Sequence, residues 1–212
     1  YEIGVRLVGS EMCIRDRNWR AQNFQDFISI VKKSVLDESV KQKAIDIFNK
    51  FDKAENIAHH GQESTQNLHE LGTLDTLIDV VGVVLCLEQL EVEQIFSSAL
   101  PVNIGTISTR HGLIPATSPA TSALLTESNV PVFQPNISSD IRGDVGEIVT
   151  PTGAAILTTL ATFDQPTIKV NAFGYGFGQK KIDGYLNVLT TWIGTIDIET
   201  LSYTQLTLPT KA

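Results

Sequence analysis

Residues 74–90 constrain this chain more than any other stretch, because a helical apolar repeat and a pair of carboxylates occupy the same few turns. Leu74, Leu77, Ile78, Val81, Val84 and Leu85 recur at spacings of three and four, which predicts an amphipathic helix with Thr73 as its N-cap. Asp75 and Asp79 stand one turn apart on a shared face, with Cβ atoms about 6 Å from each other, and Gly82 and Cys86 continue nearly the same stripe. Like charges so placed repel unless a cation joins them. His69 and Glu70 lie just ahead of the helix, and imidazole with carboxylates forms a mixed nitrogen and oxygen donor set suited to a borderline divalent metal such as nickel or zinc. A purely structural reading stands beside this one: Asp75 complements the helix dipole, and Asp79 is a solvated side chain.

The wider pattern favours the metal. The run His69-Glu70-Leu71-Gly72-Thr73-Leu74-Asp75-Thr76-Leu77-Ile78-Asp79-Val80-Val81-Gly82 resembles the His-Glu-Val-Gly-x-x-Asp-Ser-Ile-x-Asp-Ile-Val-Gly signature of the LarC family of nickel-insertion proteins. Three further stretches resemble that family in the same order. They are Arg110-His111-Gly112 with Pro115 and Pro119-Ala120-Thr121, then Glu147 through Ala155, then Gly174-Tyr175-Gly176-Phe177-Gly178 leading to Asn187-Val188-Leu189. The resemblance covers most of residues 35–194. Departures are Asn67 where the family often has a further His, Ala116-Thr117-Ser118 in place of a more regular run, and Thr190 in place of a frequent Arg.

The resemblance implies a nickel insertase of the chelatase type, a lyase. Such a protein delivers Ni(II) to pyridinium bisthiocarboxylate mononucleotide, closes a sulfur-carbon-sulfur pincer with a carbon-metal bond, and so matures the nickel-pincer cofactor of enzymes such as lactate racemase. CTP with a divalent cation is expected only for the full-length protein, whose nucleotide-binding portion is C-terminal to what this chain contains. The implied metal ligands are His69, Glu70, Asp75, Asp79 and His111, and the implied substrate contacts are Glu147, Thr150, Thr152 and Gly153. No catalytic residue is assigned. The isolated fragment is expected to be inactive, and a nickel delivery or storage module without chemistry of its own is the alternative reading. A homo-oligomer is a candidate assembly.

The two ends read differently. Residues 1–17 back-translate into a transposase adapter used in sequencing libraries, and Ser202 to Thr210 match the opposite adapter with Gln205 in place of His. Residues 1–17 and 202–212 are therefore set aside as non-native, and residues 18–201 are read as a fragment of an N-terminal metal-handling domain. The only Met, Met12, goes with the adapter-like stretch, as does Cys13. Cys86 then stands alone, which rules out a disulfide framework and suits a cytoplasmic, reducing compartment. A net charge of −8 argues against nucleic acid or an anionic membrane as partner and is compatible with cation capture. No apolar run reaches the roughly 18 residues of a membrane span.

The expected fold is α+β, with helices packed on a mixed β-sheet, as part of a larger protein. Helices are predicted over 24–36, from Asp37 through Ala54, over 119–125 with Ser118 as cap, and from Thr150-Pro151 to Thr162. Lys41, Lys43, Lys50 and Lys53, mixed with Asp46, Asp52 and Glu55, read as a solvated face. His59 and His60 close the second helix, where they complement its dipole or join the metal set. Strands are predicted within 95–109, 129–141, 168–172 and 186–193, with Arg110-His111-Gly112 at a strand end. Residues 174–178 alternate glycine with aromatics and read as a bulged turn, since no helix follows as a dinucleotide fingerprint requires. The hydroxyl-capped N-terminus at Thr150 to Gly153 is a cradle for an anion or simply a capped turn.

Overall fold

The computed structural model describes residues 21, 23–58, 68, 72–103, 105–109, 112–137, 146–178, 182 and 185–196. The adapter-like ends, 1–17 and 202–212, lie outside them. The chain divides into two compact units: Tyr1–Ile95 with Thr117–Val130 and Val149–Thr162, and Phe96–Ala116 with Pro131–Ile148 and Phe163–Ala212. All described helices fall in the first and all described strands in the second, so the fold is α+β.

In the helical unit, α1 (Phe24–Lys33) begins at a capping box: the Asn23 side chain accepts from the Asp26 N–H, and the Asp26 carboxylate accepts from the Asn23 N–H. It ends before the predicted Leu36, because both the backbone N–H and the hydroxyl of Ser34 turn back onto the Val31 carbonyl. The next helix, α2 (Glu38–Ala58), starts at Asp37, whose carbonyl accepts the first helical bond from Lys41. Its buried stripe, Val40, Ala44, Ile47, Phe48, Phe51 and Ala54, is the predicted one. Phe27 stacks on Phe48 at 5.1 Å between centroids, and Phe24 lies 4.8 Å from Phe51.

Around α2 pack α1, α3 (Leu74–Gln89), α4 (Pro119–Glu127) and α5 (Pro151–Leu160). Ser118 and Thr150 cap α4 and α5 as expected, each accepting a backbone N–H three residues on, with Pro at the first helical position. The α4 helix runs two residues past the predicted Leu125, and α5 stops at Leu160, short of Thr162. The lysines of α2 are not merely a solvated face. Lys43 pairs with Glu88 of α3 at 3.1 Å, Lys53 pairs with Glu127 of α4, and Lys50 donates to the Thr158 carbonyl near the C-terminus of α5, where a cation complements the helix dipole. Burial lowers the Lys50 pKa, partly offset by Glu127. No described helix is long and apolar enough to cross a membrane.

In the strand unit, β1 (Leu100–Pro101) pairs in parallel with β4 (Val132–Phe133). The hairpin β2 (Thr106–Thr109) and β3 (Gly112–Pro115) is antiparallel, as is the longer ribbon of β5 (Ile168–Phe177) and β6 (Val188–Ile196). Parallel and antiparallel pairs thus coexist, each two strands wide among the described residues.

The bulged turn predicted at residues 174–178 is corrected: β5 continues through Phe177, and the irregularity lies earlier, between Val170 and Ala172. The physical reason is periodicity. An alternation of aromatics with glycines has the two-residue period of a strand, which places the rings on one face and the glycines on the other.

Candidate metal site at the start of helix α3

The approach to α3 is fixed by one glycine. The Gly72 N–H donates to the Leu68 carbonyl at 3.0 Å, and the Gly72 carbonyl accepts from the Ala21 N–H at 2.9 Å. A Cβ at this position would lie 2.4 Å from the Ala21 oxygen and 2.6 Å from the Leu68 oxygen, so only glycine fits between the two backbones. Gly72 thereby ties the chain entering α3 to Ala21, two residues ahead of the cap of α1.

Thr73 occupies the N-cap position with extended backbone but makes no side-chain cap bond; its hydroxyl lies 3.5 Å from that of Thr76. From there α3 sorts its residues cleanly. Thr76, Val80 and Val84 are buried, with Leu77, Val81 and Leu85 packed against the same core. Ile78, placed in the apolar stripe by spacing, is exposed. Asp75, Asp79 and Cys86 are exposed on the other side, and a Cβ on Gly82 would meet nothing within 4 Å. The far end is anchored by Glu88, which accepts from the Ser39 hydroxyl at 2.7 Å and pairs with Lys43.

The carboxyl of Asp79 is held above the ordinary aspartate range, first because the surrounding protein removes part of its hydration and second because Asp75 adds a like charge. A divalent cation bridging the pair would relieve the repulsion and offset the lost hydration. Two carboxylates on an open face do not complete a coordination shell, and no group of three or more His, Cys, Asp or Glu side chains gathers among the described residues. The remaining sequence candidates for the metal, His69, Glu70 and His111, and with them His59 and His60, lie outside the described residues.

The substrate candidates fall in both units. Thr150, Thr152 and Gly153 form the start of α5, where the Thr150 hydroxyl accepts from the Gly153 N–H at 3.2 Å, so this donor already has a partner. A Cβ on Gly153 would touch only that hydroxyl, at 3.4 Å, so crowding does not force glycine there. Glu147 is half-buried and belongs to the strand unit. Sequence spacing missed the role of Gly72; its place in the His-Glu-Leu-Gly run was the available signal.

The family model for nickel insertion protein matches residues 5–210. A relative from Dictyoglomus thermophilum, whose name assigns it to nickel insertion, is 40% identical over 200 residues, covering 93% of this chain and 49% of that protein. One from Roseiflexus castenholzii with the same assignment is 36% identical over 178 residues, covering 84% and 43%. A third, from Desulfitobacterium hafniense, is named as a pyridinium-3,5-bisthiocarboxylic acid mononucleotide nickel insertion protein and is 36% identical over 163 residues, covering 76% and 38%. The chain spans less than half the length of each of these relatives. No solved structure matches it.

Proposed function

The chain belongs to the nickel insertion protein family, and from that premise we propose that it is the metal-handling portion of a nickel chelatase. In this reading Asp75 and Asp79 on the open face of α3, with His69 and Glu70 ahead of the helix and His111, hold Ni(II) as cargo. The recipient is pyridinium bisthiocarboxylate mononucleotide, by analogy with the relative named for it. The observation that carries the reading is the exposed Asp75–Asp79 pair, whose repulsion is one cause of the raised Asp79 pKa and would be relieved by a divalent ion.

Transfer then runs from the nitrogen and oxygen donors of the protein, which suit a borderline metal, to the sulfur-carbon-sulfur set of the pincer. Thr150, Thr152 and Gly153 at the start of α5 help to position the anionic part of that substrate. CTP with its divalent cation acts in the full-length protein, and client enzymes such as lactate racemase receive the finished cofactor.

Isothermal titration of the whole chain with Ni(II) tests the site. Asp75→Asn and Asp79→Asn should each weaken binding at least about tenfold, which corresponds to 1.4 kcal/mol. Binding should also fade below about pH 6, where an imidazole ligand becomes protonated. Equal affinity in both variants and the parent chain would remove these carboxylates from the site.

A further inference from the structure

The β5–β6 ribbon carries an apolar face that the nickel reading does not use. Its register sets the face residue by residue, because partners across an antiparallel ladder share a side. Phe173 is opposite Trp192, Tyr175 opposite Thr190, and Phe177 opposite Val188. At the irregularity Val170 pairs with Gly194 while Ala172 pairs with Ile193, so Asn171 is the extra residue and Val170 joins the aromatic side. Gly194 is required there, since a Cβ would lie 2.2 Å from the Lys169 carbonyl oxygen. The bulge therefore lengthens the apolar face by one residue.

This face is open. Val170 is 52% exposed, Phe173 68%, Tyr175 59%, Phe177 69% and Trp192 61%. The rings contact each other along the strand, Phe173 to Tyr175 at 5.6 Å and Tyr175 to Phe177 at 6.3 Å. Lys169, the ribbon's one charged residue, pairs with Thr195 and so belongs to the opposite face. A chain with net charge −8 thus presents a neutral apolar surface without the lysines, prolines or inward charges that usually guard exposed strands.

We infer that this face of the β5–β6 ribbon is an interface with a second copy of the same chain. Two considerations select that occupant. The face is neutral, so two acidic copies meet there without desolvating a charge, whereas a basic partner would find no complementary charge. The area is also sufficient: with aromatic side chains of roughly 150–250 Å² each, the open parts of the four rings give about 500 Å² per copy. Doubled by a two-fold axis this reaches about 1,000 Å², the floor for a biological interface and the size of a weak one, and Val170 adds to it. Such a patch lies in the range of the largest that monomers leave uncovered, and patches of that size are often functional.

Sedimentation equilibrium of the whole chain across a concentration series tests the inference independently of metal. The parent chain should dimerise, and Trp192→Lys and Thr190→Arg, which put like charges face to face across the axis, should each weaken dimerisation at least tenfold. Thr190 is polar already, so its replacement disturbs the ribbon least, and unchanged helical circular dichroism checks that the fold survives. Thr190→Cys in a Cys13→Ser, Cys86→Ser background should crosslink copies under oxidation. A chain that sediments as a monomer at every concentration, or as a dimer indifferent to both charged variants, would overturn the inference. So would absence of the crosslink, which would leave the face to another part of a longer chain.

Discussion

Two aromatic clusters of similar internal geometry meet opposite fates in this molecule. In the helical unit, Phe24, Phe27, Phe48 and Phe51 lie between 4.8 and 6.4 Å apart in their contacting pairs and are fully buried. In the ribbon, Phe173, Tyr175 and Phe177 touch at 5.6 and 6.3 Å and remain open. Ring-to-ring contact is thus not what makes a core. The helical rings are covered because α1 and α2 supply facing stripes, and Val80, Val84, Leu124, Ala154 and Ala155 from three further helices close over the same cluster. The ribbon offers one layer, and a layer needs a second to bury its face.

The largest effect that could break this comparison is truncation of a ring in each cluster. Phe48→Ala should cost about 3–5 kcal/mol of unfolding free energy, the usual price of deleting a buried aromatic. Phe173→Ala, measured at a concentration where any dimer is dissociated, should cost less than about 1 kcal/mol, as exposed sites do. Urea denaturation followed by helical circular dichroism reads the first directly. Similar losses in both variants would mean that the ribbon rings are covered within a single chain.

A second, smaller effect sharpens the contrast between the two faces of α3. Gly72→Ala places a methyl against the backbone oxygens of Ala21 and Leu68, neither of which is a flexible side-chain end, and should destabilise by about 1–3 kcal/mol. Gly82→Ala, on the open stripe with nothing within 4 Å, should stabilise by about 0.5–1 kcal/mol through helix propensity alone. Thermal unfolding of the two variants gives both signs in one experiment. A neutral Gly72→Ala would show that the Ala21–Gly72 tie yields readily.

What the sequence disclosed follows the range of the forces involved. The caps at Ser118 and Thr150, the buried stripe of α2 and the shared face of Asp75 and Asp79 depend on residues within a turn or two, and each was legible from spacing. The constraint on Gly72 was not, because the atoms that enforce it include those of Ala21 in a distant segment. The cross-helix partners of Lys43, Lys50 and Lys53 were hidden for the same reason. Residues 174–177 were misread because glycine frequency was weighed as a turn signal above the two-residue period that makes them strand. At the candidate site, the helix placed two of five metal candidates on one open face, and the other three lie outside the described residues.

The smallest expected effect separates the two ends of α3 by the sign of their response to acid. At the C-terminal end, the Ser39 hydroxyl and the Lys43 ammonium hold the Glu88 carboxyl below its ordinary value of 4.5. The unfolded chain then takes up a proton at Glu88 more readily than the folded chain, so this residue contributes stability above about pH 4.5 that is lost as pH falls through the lower folded value. Asp79 has the opposite sign: its raised pKa means that the folded state gives up stability as pH rises from below 3.8 through the folded value. Glu88→Gln should therefore flatten the acid-side loss of stability, and Ser39→Ala should do so in part, since the hydroxyl is the leading cause of the shift. Added salt should weaken the Lys43 contribution and leave the Ser39 hydrogen bond nearly intact, because exposed ion pairs are screened and short neutral-donor bonds are not. Unfolding midpoints recorded from about pH 3 to 6 at low and high salt would separate the two partners, and an acid-side slope unchanged in Glu88→Gln would show that Glu88 does not anchor α3 to α2.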